Sequence, residues 1–402
     1  MCIESVFGAV PVTLQSGSNY NVGIASTNPH RFWKVMPSKG FTPKPTIKPQ
    51  DKEIDGDFDV HRILLLDRMY DGEFTWLADT ESLYYALLGL FGVDGQTTAQ
   101  AADSTHAPAA YRHAFQANKN RGYAPSFTVE ELFGDHVYGR LTSGCVVQKL
   151  ALTFGEDVTA TVALYGAHQT PNNYPLNGAR TDFDYGNTAN VYPTQMGGNG
   201  TNTITGTASP TYVDVAEPQD GNGPLVFAAI TYGSQGGAFA SNFLTIDGTG
   251  YAADLVRGGT LEMTRAISRV PVAGQDYDVA TFVAHEWTIS GKLDLLFLDN
   301  ALPKAALARK TVGVNFKVVG PSIGTSGKTY DLEVYLPNIN FLESGPEIPA
   351  TELMVGGNYY AKQDPAAGYS ALITVTNTVT NVSLAGTAGS NPGGLGGWSV
   401  GP

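Results

Sequence analysis

What most constrains this chain is its punctuation. Apolar residues come in short runs, many alternating with polar ones, and Gly, Pro, Asn or Asp separates one run from the next. Arg31–Val35, Arg62–Leu66, Glu73–Leu77, Tyr111–Phe115, Ser126–Leu132, Val146–Phe154 and Val158–Leu164 read as strands. So do Phe243–Ile246, Thr260–Val272, Asp278–Ile289, Val312–Val319, Tyr330–Leu336, Ile339–Leu342 and Ala371–Asn377. With 47 glycines and 23 prolines, the chain supplies tight turns at a density that suits many strands and no helix bundle. Pro37, Pro43, Pro45 and Pro49 forbid helix and leave an extended loop or an edge strand, and Asp71-Gly72 predicts a turn between two strands of a hairpin. Only two segments carry a helical pattern. Leu83, Leu87, Leu90 and Phe91 share one face behind an Asp79 or Thr80 cap, with Gly92 placed as terminator. A shorter helix is expected near Asn300–Arg309, with Pro303 in its first turn. The expected class is mainly β.

At 402 residues the chain exceeds one ordinary domain, and 42% apolar against 15% charged residues excludes charged disorder and coiled coil. The boundaries expected are an N-terminal arm over 1–28, a first unit over 29–168, an insertion or linker over 169–240, a second unit over 241–380 and a Gly-rich tail over 381–402. The two units share an order of strand, short helix and paired strands, which suggests a duplication. Glu73–Leu77 then corresponds to Glu286–Ser290, and Phe127–Val129 to Asn315–Lys317.

Chemistry is sparse. The balance of 24 basic and 37 acidic residues gives a net charge of −13, and no Lys/Arg cluster could neutralise a row of phosphates, so tight nucleic-acid binding is not expected. Cys2 and Cys145 read as free thiols suited to a reducing cytoplasm. No export signal or membrane span is expected, the apolar run Ile63–Leu66 being far too short. The seven histidines include no metal-binding pair at helical spacing, His285-Glu286 lacks a second histidine, and Ser143-Gly144-Cys145 lacks the glycine spacing of a nucleophile elbow. No phosphate-cradling or dinucleotide fingerprint occurs. Glu130 with Glu131, or Asp294 with Asp299, offers carboxylate pairs without a pocket signature. No catalytic, cofactor or metal residue is assigned, no cofactor is expected, and the chain is read as no enzyme.

Several segments resemble the major tail tube proteins of long, non-contractile bacteriophage tails. Glu4–Gly8 with Pro11-Val12-Thr13 is similar to the family's opening arm, and Gly72–Thr75 before the Leu-rich helix to its strand-and-helix step. Pro125–Glu130 is similar again. Tyr138–Val147, Leu150–Leu152 and Val158–Val162 resemble its paired strands with a Gly-Cys-x-Val turn, the strongest segment. Leu336–Ile339, Gly345–Ile348 and Ile373–Asn377 resemble the end of longer members with two tube domains.

The resemblance implies two tandem tube-type β-sandwich or barrel domains, each flanked by a short α-helix, assembling into a ring with a continuous inner β-barrel. It implies a structural virion protein whose stacked rings form the tail tube, a conduit for DNA ejection. Three copies per ring would give pseudo-sixfold symmetry. The implied partners are other copies of the chain, the tape measure protein, the tail terminator and the tail-tip proteins, with DNA in transient passage and no membrane. The implied place is the virion tail, assembled in the host bacterial cytoplasm. Candidate ring-stacking contacts are Phe7, Val10, Val12, Phe41, Ile47 and Trp398. Two other readings stay open: a β-sandwich adhesin or capsid decoration protein binding host glycans, and a β-rich glycosidase.

Overall fold

A computed structural model describes residues 6–11, 31–36, 39–50, 62–91, 100–103, 110–118, 127–133, 138–155, 157–166, 168–170, 226–228, 236–246, 249–251, 256–271, 279–296, 301–323, 325, 327–347 and 354–378. In chain order the first elements are β1 (Val6–Pro11), β2 (Arg31–Lys34), β3 (Thr42–Gln50), β4 (Arg62–Leu77), α1 (Thr80–Phe91), β5 (Gln100–Asp103) and β6 (Ala110–Asn118). They continue through β7 (Phe127–Phe133), β8 (Tyr138–Phe154), β9 (Val158–Gly166), β10 (His168–Thr170), β11 (Val226–Ala228), β12 (Gly236–Ile246) and β13 (Thr249–Tyr251). The last are β14 (Val256–Pro271), β15 (Val279–Leu296), α2 (Ala301–Leu307), β16 (Thr311–Ser322), β17 (Thr329–Glu347), β18 (Met354–Ala361) and β19 (Tyr369–Asn377). The fold is mainly β and, apart from the parallel β11–β12 pair, antiparallel among the described strands. In β9 the alternation of Val158, Ala160, Val162 and Leu164 with smaller or polar residues buries every second side chain, the period expected of a strand with one face in a core.

Eight of these strands form one ladder that runs the same course twice. Its first half is β3–β4–β9–β8 and its second is β14–β15–β18–β17. The β4–β9 ladder runs from Tyr70↔Gly166 to Leu77↔Thr159, and the β15–β18 ladder from Ile289↔Ala361 to Leu296↔Met354. Each spans eight unbroken pairs. Irregularities coincide as well. The β8–β9 register slips between Val147 and Lys149, and the β17–β18 register between Phe341 and Glu343. The β7–β8 register slips between Phe127 and Val129, and the β16–β17 register between Val312 and Val314. A bulge sits where its register demands it, so agreement of bulges is a stronger sign of correspondence than residue identity. Even β1, within the expected arm, has a counterpart: Phe7 joins Glu131 to Trp33 just as Leu244 joins Phe316 to Tyr251.

Along this correspondence the core is kept and the residues change. Phe41, Phe74 and Trp76 match Leu261, Leu293 and Leu295, all buried to within 2% exposure. Gly72 matches Gly291. A Cβ on Gly72 would meet the Phe41 ring at 2.9 Å, and one on Gly291 would meet the Thr260 carbonyl at 2.0 Å and the Tyr359 hydroxyl at 2.3 Å. Each glycine admits an aromatic ring across the sheet, delivered by the residue just before β3 in one half and by β18 in the other.

Two long strands turn corners. The first part of β8 pairs β7 and β10, while its last part pairs β9 and β14, and the crossing lies at Gly144, whose φ of 62° few other residues adopt. β17 likewise pairs β19 before Pro337 and β18 after it, while β16 follows it as far as Asn340. β6 then pairs β19, a second link between the halves.

Several details differ from the sequence expectations. Asp71-Gly72 is no turn: Arg62–Leu77 is one strand, and the glycine makes room for Phe41. Tyr330–Leu336 and Ile339–Leu342 are likewise one strand through Pro337. The corresponding segments are Glu73–Leu77 with Lys292–Leu296, and Phe127–Val129 with Val312–Val314, a few residues from those expected. β18, broken in pattern by Gly356, Gly357 and Asn358, carried no strand signal. The 381–402 tail and most of 171–235 lie outside the described residues.

Candidate assembly interface

The two halves meet at a seam inside the chain. β8 pairs β14 from Phe154↔Gly259 to Lys149↔Thr264, extending the sheet of the first half directly into that of the second. Leu150, Leu152, Leu261 and Met263 are buried along it, and Phe154 stacks on Phe316 at a centroid distance of 5.3 Å. On its rim Lys149 Nζ lies 2.6 Å from Glu262 Oε2.

The second half also roofs the helix of the first. Asp79 Oδ1 accepts hydrogen bonds from the N–H groups of Glu81 and Ser82, at 3.0 and 2.7 Å, and so caps α1. At the same end Asn377 Nδ2 donates to the Thr80 carbonyl at 3.0 Å, and Thr378 Oγ1 to Glu81 Oε1 at 2.8 Å. At the other end α1 has no basic residue in its last turn, and Arg265 of β14 supplies one: Nη1 donates to the Leu90 carbonyl at 3.3 Å. Its guanidinium lies 4.9 Å above the Trp287 ring, which stacks on Phe91 at 4.7 Å. All twelve residues of α1 are buried as a result.

The matching surfaces of the second half are open. Among the described residues, β16 follows β17 only as far as Asn340, leaving that edge unpaired over 341–347, where the equivalent edge of β8 holds β14. At the opposite end of the ladder, β3 pairs only β4 among the described strands. Among the described residues α2 has no roof comparable with that over α1, and its Leu307 is 88% exposed; Leu342, on the bulge of β17, is 69% exposed. Exposed leucines at an open edge are a surface prepared for a partner.

The residues expected to stack rings fall in different places. Phe7 and Val10 lie in β1, which is paired on both edges at Phe7. Ile47 lies in the projecting half of β3, opposite Leu65. Phe41 is fully buried in its own subunit's core, with its ring 5.6 Å from that of Phe74. Val12 and Trp398 lie outside the described residues. The edge of β3 was signalled by Pro43, Pro45 and Pro49, whereas the 341–347 edge of β17 carried no sequence signal.

Three of the groups considered for catalysis make contacts within the fold. His285 Nε2 lies 2.7 Å from Ser268 Oγ across the β14–β15 hairpin, and Lys292 holds Asp294 at 2.9 Å. The buried Cys145 thiol donates to the Thr142 carbonyl at 3.2 Å. Among the described residues no cluster of His, Cys, Asp and Glu could hold a metal ion, and no helix is long and apolar enough to cross a membrane.

Comparison with protein families matches residues 1–388 to a family described as phage tail tube protein. No curated protein matches the chain.

Proposed function

Because the chain belongs to the phage tail tube protein family, whose members are structural proteins of the virion tail, we propose that its copies join edge to edge into rings and that the stacked rings form a conduit for DNA. The observation that carries this reading is the pair of open ends on the repeated ladder. One end, β3, and the other, the 341–347 edge of β17, correspond to the two strands that pair inside the chain at the β8–β14 seam. A head-to-tail contact of this kind closes into a ring when its rotation divides the circle.

The matched registers support two tube domains per chain, hence three copies per ring with pseudo-sixfold symmetry and a siphophage-like tail. A net charge of −13 suits a channel that repels phosphate and lets a duplex slide. Axial stacking through Phe7, Val10, Val12, Ile47 and Trp398 completes the tube, with Phe41 acting from beneath as support for Thr42. Tape measure, terminator and tip proteins are the partners at its bore and ends, and assembly takes place in the host cytoplasm.

Negative-stain microscopy of the purified protein tests this reading. Rings or tubes with threefold symmetry and pseudo-sixfold projections are expected. A particle that stays monomeric at high concentration and on addition of a tail-tip complex would overturn it.

A further inference from the structure

Resting on the tube reading, we propose the register of the seam between copies: Phe41–Lys44 of one chain pairs antiparallel with Glu343–Pro346 of the next, setting Lys44 opposite Glu343 and Thr42 opposite Gly345. The seam inside the chain is the template. There, Lys149↔Thr264 and Ala151↔Glu262 join β8 to β14. Through the matched ladders, Lys149 and Ala151 correspond to Glu343 and Gly345 of β17, and Glu262 and Thr264 to Thr42 and Lys44 of β3.

Three independent features suit this register. The first is proline. Pro43 would face Ser344 and Phe41 would face Pro346. Because a proline offers no N–H to the β3–β4 or β17–β18 ladder, Thr42, Lys44, Glu343 and Gly345 bond within their own chain, and the two proline-bearing pairs face the seam, each keeping one N–H donor, Ser344 or Phe41. A slip of one residue would set the outward-facing backbone groups of one strand against the inward-facing groups of the other. Pro45 and Pro49 lie beyond the window, where the equivalent half of β14 has no partner except β15 among the described strands, and there they blunt a projecting edge.

Charge is the second. Lys39 and Lys44 stand on one edge, and Glu343 and Glu347 on the other, with opposite signs directly across at Lys44 and Glu343. The third is exposed apolar surface on the second half. Leu342 corresponds to Gln148, beside the inner seam, and α2 corresponds to the roofed α1. A second copy brings its β3–β4 hairpin over α2, just as the β14–β15 hairpin lies over α1. Gly40, with φ at 57°, ends the paired window.

Disulfide trapping tests the register. Directly opposed residues have Cα atoms about 4.5 to 5.5 Å apart, within reach of a disulfide, whereas a two-residue offset exceeds about 7 Å. Chains carrying only Lys44→Cys are mixed with chains carrying only Glu343→Cys under conditions in which the wild-type protein forms rings, then oxidised. Covalent dimers are expected in the mixture and not with either variant plus wild type. With both substitutions on one chain, the non-reducing gel ladder should end at three chains. Because Lys44 also holds Asp71 at 2.8 Å, Thr42→Cys with Gly345→Cys provides a second pair that leaves that contact in place. The offset pair, Lys44→Cys with Gly345→Cys, should stay unlinked. If rings form while both opposed pairs stay unlinked, or if the offset pair links as well, the register is wrong and the tube reading survives it. If the wild-type chain forms no rings and nothing links, both fall together.

Discussion

Replacing the two matched glycines with alanine should give very different results. At Gly291 the added methyl would sit 2.0 Å from the Thr260 carbonyl oxygen, a backbone atom held by the β14–β15 ladder, and 2.3 Å from the Tyr359 hydroxyl, which donates to that same carbonyl at 2.9 Å. Overpacking of this sort costs about 1–3 kcal/mol, and the displaced hydrogen bond adds about 0.5–1.5 kcal/mol. Set against these is the gain of about 0.5–1 kcal/mol from stiffening the unfolded chain. Gly291→Ala should therefore destabilise by about 2–3 kcal/mol. At Gly72 the nearest atoms are those of the Phe41 ring, at 2.9–3.0 Å, and a ring can tilt where a backbone carbonyl cannot. Gly72→Ala should stay within about 1 kcal/mol of wild type, because the same entropic gain offsets a smaller strain. Urea denaturation of unassembled protein, with the slope unchanged between variants, reads both values. Equal midpoints for the two variants, or a wild-type midpoint for Gly291→Ala, would refute the argument.

Removing the α1 cap with Asp79→Ala leaves two buried N–H groups without their acceptor and should cost about 1–2 kcal/mol in the same assay. Burial raises the Asp331 carboxyl pKa above its ordinary 3.8, against the opposing hydrogen bond from Thr329. A raised folded-state pKa favours the neutral form, so that stability is fully present below about pH 3.8 and is lost as pH rises through the folded value. Asp331→Asn should therefore raise the urea midpoint at pH 7, and the advantage should vanish on acidification; an advantage independent of pH would contradict this. Leu342→Asp, on a side chain that is 69% exposed, should shift monomer stability by less than about 0.5 kcal/mol yet suppress ring formation in sedimentation. Truncating the rim lysine, Lys149→Ala, should cost less than about 1 kcal/mol, and the cost should shrink further in high salt.

Alternation made most strands legible in the sequence, and the cap and apolar face of α1 were legible for the same reason: each is a local pattern imposed by one element's own periodicity. Gly72 and Pro337 misled because their usual meaning, a break, gives way when a neighbouring strand needs the space or the bend. β18 was invisible because Gly356 and Gly357 are defined by what β15 and β17 press against them. The correspondence of the halves was visible only as an order of events, since Lys292 stands where Glu73 does and Leu295 where Trp76 does while the hydrogen-bond register is the same. Of the assembly edges only β3 was hinted at, by its prolines; the 341–347 edge of β17 depends on which pairings the rest of the chain leaves unmade.

The β8–β14 seam has a kinetic consequence. In the proposed ring, tethering by one polypeptide would make every second junction unimolecular, formed as the chain folds and insensitive to dilution, so that closure would call for three bodies to meet instead of six. Nucleation of such a ring would scale with roughly the third power of concentration rather than the sixth. An infected cell could therefore begin tails while the pool of free protein is still thin.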